Sequence, residues 1–184
     1  QFVTRVGSVT RRMHNKSFTV DNQVTILGGR NIGDEYFEAD PDLSFSDLDV
    51  VAIGPVVREV SASFDKYWND ELAYPATVLR GKALTPQEIE QKHQQLDEFI
   101  AQQTDSAYLQ SLRNSDLANT IRQGQVRYDW GEADVIYDQP EKLQHDFDET
   151  KYHLTPKLKP YFEGLTEELI IISPYFVPGK SGTV

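Results

Sequence analysis

Residues 14–31 read HNKSFTVDNQVTILGGRN, and this stretch decides how the amino-terminal part of the chain folds. Two runs rich in β-branched and aromatic residues lie on either side of the turn-forming pair Asp21 and Asn22, a pattern that predicts a β-hairpin. Gly28 and Gly29 end the second run, as expected where the backbone needs unusual dihedral angles or approaches a ligand closely. We therefore expect a β-sheet that begins with this hairpin, followed by a loop.

The elements next to the hairpin are predicted from their apolar patterns. The hairpin strands are expected over residues 11–20 and 24–27, and the continuously apolar stretch within 46–53 predicts a third strand that is buried on both faces. In residues 56–68 the apolar positions recur at three- and four-residue steps, which predicts an amphipathic helix that covers the sheet. These positions are Val57, Val60, Phe64 and Tyr67.

The rest of the chain predicts mainly helices. Thr85 and Pro86 mark a helix start, because threonine is a common N-cap and proline fits the first helical position. The later predicted elements are a helix over 85–103, a shorter helix from Ser106, a strand pair or extended segment over 126–137, a helix over 155–164, a buried strand over 168–173 and a loop over 174–182. Together the elements predict an α/β fold in which a mixed β-sheet is flanked by helices, with a helical insertion over residues 70–150.

The composition is that of a folded chain without disulfide chemistry. Of 184 residues, 39% are apolar and 26% are charged, which is typical of a globular domain. There is no cysteine, which excludes disulfide bonds, thiolate metal sites and a cysteine nucleophile. The formal net charge of −11 opposes binding to nucleic-acid backbones, which lysine and arginine usually neutralise. No apolar run reaches the ~20 residues of a membrane span, and a segment upstream of Gln1 is expected because the chain does not begin with methionine.

The residues around the hairpin also suggest a chemistry. Residues two apart share a face of a strand, so His14 and Lys16 would project into one pocket. The loop after the second strand would add the Asn31 amide and the backbone N–H groups of the two glycines, which suit a phosphate. His14 is then the natural nucleophile for displacement at phosphorus, provided that a carboxylate fixes its tautomer, and either Asp47 or Asp49 could supply that carboxylate.

The spacing of these residues resembles the HKD signature of the phospholipase D superfamily. The matching positions are His14, Lys16, Asp21, Gly28, Gly29 and Asn31. The neighbouring words RRMHNKSFTVD, GGRNIGDEYF, DLDVVAIGP and SPYFVPG are similar to bacterial cardiolipin synthase-like members of that superfamily. By this resemblance, the catalytic residues are the nucleophile His14, together with Lys16 and Asp47, and Asp47 orients His14. The resemblance also implies that the substrate phosphate is bound by Lys16, Asn31 and Gly29. Asp21 and Gly28 would have structural roles.

Members of this family build one active site from two HKD motifs that meet at a pseudo-twofold axis. Only one motif is found here, because no other histidine is followed by a lysine two residues later. The resemblance therefore implies that residues 1–69 are the carboxyl-terminal part of a first phospholipase D-like half and that 70–150 are an insertion or linker. Residues 151–184 would be the helix and opening strand of the second half, whose missing remainder supplies the general acid.

The resemblance implies that the parent protein is a phosphatidyltransferase that acts on glycerophospholipids through a phosphohistidine intermediate, with no metal and no cofactor. The chain alone is expected to be inactive, although a homodimer would bring two copies of His14 together. The implied partners are phosphatidylglycerol or phosphatidylethanolamine and the surface of a bacterial cell membrane, bound peripherally from the cytoplasmic side by an anchor outside this chain. The alternatives are a phosphodiesterase or nuclease of the same superfamily, which the negative net charge opposes, and a non-catalytic fragment.

Three further segments each have two interpretations. Arg11, Arg12 and Arg30 contact an anionic headgroup or are simply solvated. The helix over 85–103 packs against the flank of the sheet or contacts a membrane. The apolar residues 175–177 line an acyl-chain groove or belong to the core.

Overall fold

The chain forms one β-sheet and six α-helices within its described part, so the predicted α/β class is confirmed. The computed structural model describes residues 13–40, 42–81, 83–145 and 149–173. The chain divides into two compact units, one made of Gln1–Ala73 and Ala133–Val184 and the other of Tyr74–Glu132. None of the helices in the described ranges has both the length and the apolar character needed to cross a membrane.

The sheet lies in the first unit and is antiparallel, although a mixed sheet was predicted. Its strands, in order across the sheet, are β1 (Ser17–Val20), β2 (Val24–Leu27) and β3 (Val50–Ile53). β2 has the predicted bounds, whereas the first and third strands are shorter than predicted. Residues 13–16 lead into β1 without regular structure, and residues 11 and 12 lie outside the described part of the chain.

The turn between β1 and β2 confirms the predicted hairpin. Asp21 and Asn22 have φ angles of 51° and 54°, in the left-handed region that these two residue types tolerate better than most. The backbone N–H of Gln23 donates to the carbonyl oxygen of Val20 at 3.0 Å and closes the turn. The turn chemistry of the sequence is therefore sufficient to reverse the chain here.

Helix α1 (Val56–Trp68) has the predicted bounds and contacts all three strands. Its residues Val57 and Val60 are buried, as is Thr25 on β2, whose hydroxyl lies 2.8 Å from that of Thr19. Burial of each valine stabilises the fold by about 2 kcal/mol. The core of the sheet therefore lies between β2 and the first half of α1.

The other face of the sheet is apolar and exposed. Strand register places Phe18 and Val51 on either side of Ile26, on one face of the sheet. These side chains are 68%, 49% and 40% exposed, respectively. The expectation that the third strand is buried on both faces is therefore wrong for the described chain, because no described element covers this face.

The second unit contains four helices in succession. They are α2 (Ala76–Arg80), α3 (Pro86–Gln103), α4 (Ala107–Asn114) and α5 (Asp116–Arg122). The predicted start of α3 is confirmed, because Thr85 and Glu88 form a reciprocal capping box. Ser106 likewise caps α4, whereas the short helices α2 and α5 were not predicted.

The carboxyl-terminal part of the chain contains one predicted helix and lacks two predicted β elements. α6 (Leu154–Glu163) confirms the helix, and short 3-10 helices lie at Pro140–Leu143 and Thr150–Tyr152. A further 3-10 helix, Asp34–Tyr36, lies between β2 and β3. The strand predicted over 168–173 is wrong, because that segment has no regular structure. Residues 126–137 do not form the strand pair, and the other alternative, an extended segment, stays a prediction. A strand requires a neighbouring strand for its backbone groups, and the described residues offer these segments none. The loop predicted over 174–182 lies outside the described residues.

Candidate functional site

The strand register places three chain segments at one end of the sheet. Ser17 and Val50 both pair with the last residue of β2. Residues 13–16 therefore enter β1, residues 28–31 leave β2 and residues 47–49 enter β3 at the same end. Because neighbouring strands lie about 4.8 Å apart, this arrangement brings all the sequence-predicted site residues except Asp21 into one neighbourhood.

His14 and Lys16 contact each other in the segment that enters β1. The Lys16 Nζ atom lies 3.1 Å from His14 Nδ1 and 3.4 Å from His14 Nε2, and it donates to the His14 carbonyl oxygen at 3.0 Å. The two side chains therefore share one side of the chain, although the segment is not part of the strand. Since an ammonium group can only donate, a ring nitrogen that bonds to Lys16 must present its lone pair.

Asn15, between these two residues, attaches the segment to α1. Its side chain hydrogen-bonds to the hydroxyl of Tyr67, and that hydroxyl donates to the carbonyl oxygen of Asp138 at 2.6 Å. Burial and, to a smaller extent, the Asp138 carboxylate raise the pKa of Tyr67 to about 12, against the opposing effect of the hydrogen bond from Asn15. The sequence assigned Tyr67 only to an apolar stripe and so did not reveal this connection.

Gly28 and Gly29 leave space for two carboxylates. A Cβ atom on Gly28 would overlap the Asp49 carboxylate and lie 3.2 Å from Asp49 Cα. A Cβ atom on Gly29 would overlap the Asp47 carboxylate and lie 3.2 Å from Asp47 Cγ. The glycine pair is therefore explained by close approach of the segment that enters β3.

The two candidate carboxylates differ in their partners. The Asp49 carboxylate forms an ion pair with Arg30. The Asp47 carboxylate is half-buried and accepts one hydrogen bond from the backbone N–H of Leu48 at 2.8 Å. Within the described residues, no hydrogen bond joins His14 to either carboxylate.

Arg30 and Asn31 tie the loop after β2 to its surroundings. The Arg30 guanidinium donates to the Asp49 carboxylate, to the Tyr36 carbonyl oxygen and to the Asp47 carbonyl oxygen, the last at 3.3 Å. Asn31 is exposed, and its amide donates to the Tyr36 hydroxyl at 2.8 Å. Tyr36 is thus a supporting residue that the sequence motif did not identify, while Arg11 and Arg12 lie outside the described residues.

Asp21 lies at the opposite end of the hairpin from His14, in the turn. A cavity of about 440 Å³ opens beside this turn and is lined by Asp21, Asn22, Ser61 and Asp65, among others. None of the predicted phosphate ligands lines this cavity, which lies at the opposite end of the sheet from them. Nowhere in the described ranges do three or more histidine or carboxylate side chains gather as metal ligands would.

Comparison with known proteins gives three informative relatives. Cardiolipin synthase C of Escherichia coli strain K12 is 36% identical over 184 residues, which cover 98% of this chain and 38% of that protein. An uncharacterized protein of Helicobacter pylori strain 26695 is 32% identical over 94% of this chain and 34% of its own length. Cardiolipin synthase A of Pseudomonas entomophila is 43% identical over 75 residues, which cover 36% of this chain and 16% of that protein.

No family model matches the chain, and no solved structure matches it significantly. The chain spans little more than a third of the length of the relatives that it matches over nearly all of its own residues. These similarities extend well beyond the six motif positions, since they include both compact units. The chain is therefore a homologue of the cardiolipin synthases C and A of the phospholipase D superfamily and corresponds to part of their length.

Proposed function

We propose that the protein containing this chain is a phosphatidyltransferase of the cardiolipin synthase type, with His14 as its nucleophile. The observation that carries the proposal is the convergence, at one end of the sheet, of the three segments that hold His14, Asn31 and Asp47. The similarity to cardiolipin synthases C and A supports glycerophospholipids as substrates, with phosphatidylglycerol and phosphatidylethanolamine as the first to test.

Lys16, Asn31 and Gly29 would hold the substrate phosphate. The Lys16 ammonium now contacts His14, and a phosphate would offer it charged oxygen acceptors that form stronger hydrogen bonds than a neutral ring nitrogen. Asn31 uses its amide on Tyr36 and retains a second N–H for the substrate. Gly29, which has no side chain, would let a phosphate oxygen approach its backbone N–H.

The reaction would proceed in two displacements at phosphorus. A His14 ring nitrogen forms a bond to phosphorus while the bond to the first alcohol breaks, and a general acid gives that alcohol its proton. A second alcohol then attacks the phosphohistidine, loses its proton to the same group and releases His14. The general acid is assigned to the part of the protein outside this chain, where the second HKD motif is expected.

Asp47 is the better of the two carboxylates for orienting His14. Asp49 is already paired with Arg30, whereas Asp47 accepts one backbone hydrogen bond and keeps further acceptor capacity. Once Lys16 has turned to the phosphate, the Asp47 carboxylate would accept the N–H of one ring nitrogen and leave the other nitrogen free to attack. No metal or cofactor takes part in this scheme.

The proposed site is half of a complete one. We assign residues 1–69 to a first phospholipase D-like half, 70–150 to an insertion and 151–184 to the start of the second half. The chain by itself is then expected to be inactive, unless two copies pair and bring their His14 side chains together. The complete protein is proposed to act at the inner surface of a bacterial cell membrane, with its anchor in another segment.

Transfer of a labelled phosphatidyl group by the full-length protein tests the proposal. His14→Ala should abolish cardiolipin formation, because the covalent intermediate cannot form. His93→Ala is the matched control, since His93 is an exposed histidine on α3 in the other unit. Trapping of a labelled phosphohistidine in the wild-type protein, and its absence from the His14→Ala variant, would identify the nucleophile directly.

Two outcomes would contradict the proposal in different ways. Full transfer activity in the His14→Ala variant would remove His14 from the mechanism. Hydrolysis of phosphodiester bonds in nucleic acid, without phosphatidyl transfer, would instead favour the nuclease alternative. The isolated chain, assayed beside both variants, tests separately whether the half-site turns over lipid.

A further inference from the structure

Arg30 joins the two loops that carry the phosphate ligands and the candidate carboxylate. Its guanidinium bonds to the Asp49 carboxylate and to the carbonyl oxygens of Tyr36 and Asp47. The side chains of Arg30 and Asp49 are 29% and 28% exposed, so the ion pair is largely shielded from water. One planar group therefore spans residues 30, 36, 47 and 49, which lie on two separate segments.

The positions of these acceptors decide what Arg30 holds in place. It bonds to the backbone of Asp47 and to the side chain of Asp49, two residues later, so it fixes the chain on which the Asp47 carboxylate stands. It also bonds to the backbone of Tyr36, whose hydroxyl accepts the hydrogen bond from Asn31. A lysine could not reproduce this pattern, because its donors radiate from one atom rather than along a rigid fork.

We propose that Arg30 is a positioning residue that acts through Asp47 and Asn31 and does not contact the lipid headgroup. This inference rests on the proposed function, since Asp47 and Asn31 have their roles only in that reaction. The alternative is the interpretation left open by the sequence, in which Arg30 binds an anionic headgroup. The ion pair with Asp49 argues against that alternative, because it neutralises the guanidinium charge that would attract the headgroup.

The two interpretations predict different kinetics for the full-length protein. With Arg30→Ala, displacement of the positioned groups should lower kcat on the order of 100-fold and leave KM for phosphatidylglycerol within about twofold. Arg30→Lys should recover only a small part of kcat, since the charge remains and the fork is lost. Arg58→Ala is the matched control, because Arg58 is exposed on α1 and forms no side-chain hydrogen bond or ion pair with described residues.

A double variant distinguishes a positioning role from an independent one. If Arg30 acts through Asp47 and Asn31, then Arg30→Ala added to the double variant Asp47→Asn/Asn31→Ala should slow transfer little beyond the rate of that double variant. The inference would be overturned in favour of headgroup contact if the loss of kcat caused by Arg30→Ala multiplied with that of the other substitutions. A rise in KM with unchanged kcat in Arg30→Ala would overturn it as well. His14→Ala, measured in parallel, tests the proposed function by itself. If the Arg30 variants turned over at the wild-type rate while His14→Ala showed no turnover, only the inference about Arg30 would be contradicted.

Hydrogen–deuterium exchange supplies a readout that does not depend on activity. In Arg30→Ala and Arg30→Lys, the backbone amides of residues 28–36 and 47–49 should exchange faster together, because the link between the two segments is lost. Arg58→Ala should leave both segments unchanged. Unchanged exchange in the Arg30 variants would overturn the inference even if the protein proved to catalyse another reaction.

Discussion

The two sides of the proposed site differ in how firmly the described residues hold them. On the side of the loop after β2, Arg30 alone bonds to three acceptors on two segments, and Asn31 is tied to Tyr36. On the side of the proposed nucleophile, His14 and Lys16 contact mainly each other, and the hydrogen bond from Asn15 to Tyr67 links their segment to α1. The loop after β2, which we call the firm side, is therefore fixed by several side-chain bonds, whereas the segment of the proposed nucleophile is held by few described contacts.

This difference indicates which side chains would lose conformational freedom when the substrate binds. Groups already fixed by charge-assisted hydrogen bonds lose little further freedom when a phosphate arrives. In the proposed reaction Lys16, in contrast, would leave His14 and become ordered on the substrate, which costs side-chain entropy. Substitutions on the firm side should therefore affect catalysis by displacing the groups of the site. Substitutions in α1 that remove contacts to the His14 segment should affect mainly the stability of that segment.

The largest effect is expected from a methyl group on the firm side. In Gly29→Ala, the new Cβ atom would take the place of the Asp47 carboxylate, which must then rotate away. We expect kcat for phosphatidyl transfer to fall on the order of 100-fold, to a level similar to that of Asp47→Asn. The matched control is Gly131→Ala, because nothing lies within 4 Å of a Cβ atom there. Wild-type turnover by Gly29→Ala would show that the Asp47 carboxylate is not needed where it lies.

A smaller effect is expected behind the nucleophile. Tyr67→Phe removes the hydroxyl that links Asn15 to the Asp138 carbonyl, and loss of these two hydrogen bonds should cost about 1–2 kcal/mol in the free energy of unfolding. Chemical denaturation of this unit measures the loss. Tyr161→Phe is the control, since its hydroxyl bonds to Asp134 from a side chain that is 51% exposed. Equal losses in the two variants would argue that Tyr67 has no special linking role.

The same tyrosine gives the unit a dependence on alkaline pH. Burial raises the pKa of Tyr67 from 10.0 to about 12, so the folded chain holds the phenol proton more tightly than the unfolded chain does. The resulting stabilisation is fully present below pH 10 and is lost as the pH rises towards 12. Unfolding midpoints measured across this window should fall more steeply for the wild type than for Tyr67→Phe. Parallel curves would contradict the assignment.

The hairpin and the helix that packs on it could be predicted from sequence, because their signals are local. Turn-forming residues specified the hairpin, and the apolar spacing specified α1 with its correct bounds. The side-chain alternation of a strand also predicted that His14 and Lys16 lie together; the structure confirms the contact, although residues 13–16 are not part of the strand. What the motif could not indicate is that the two glycines make room for Asp47 and Asp49, since that depends on the pairing of β2 with a distant strand.

The wrong predictions have a common physical cause. The stretch 168–173 is as apolar as a buried strand, but within the described chain it remains without regular structure and Ile170 is 73% exposed. Similarly, Val51 lies on an apolar sheet face that no described element covers. Apolar runs indicate that a segment is suited to burial and cannot specify which partner buries it. Arg30 was ambiguous for the same reason, because its acceptors are supplied by tertiary contacts.

The smallest effect on the site is expected from the other compact unit. Thr85 caps α3: its hydroxyl accepts from the Glu88 backbone N–H at 3.2 Å, and the Glu88 carboxylate accepts from the Thr85 backbone N–H at 2.7 Å. Thr85→Ala should destabilise the helix by about 0.5–1 kcal/mol, and circular dichroism should detect the loss. Thr104→Ala, at the other end of α3, should cost less, because it removes a single bond to the Ile100 carbonyl oxygen.

Acid should weaken the same cap. Hydrogen bonds from the backbone and hydroxyl of Thr85 hold the pKa of Glu88 below its ordinary value, so this stabilisation is present above the ordinary carboxyl pKa and is lost as the pH falls through the lowered one. Thr85→Ala, compared with the wild type at one pH, should not alter hydrogen exchange in residues 28–36, because the described contacts that hold that loop lie in the first unit. Faster exchange there in Thr85→Ala would show that the firmness of the loop depends on the second unit as well.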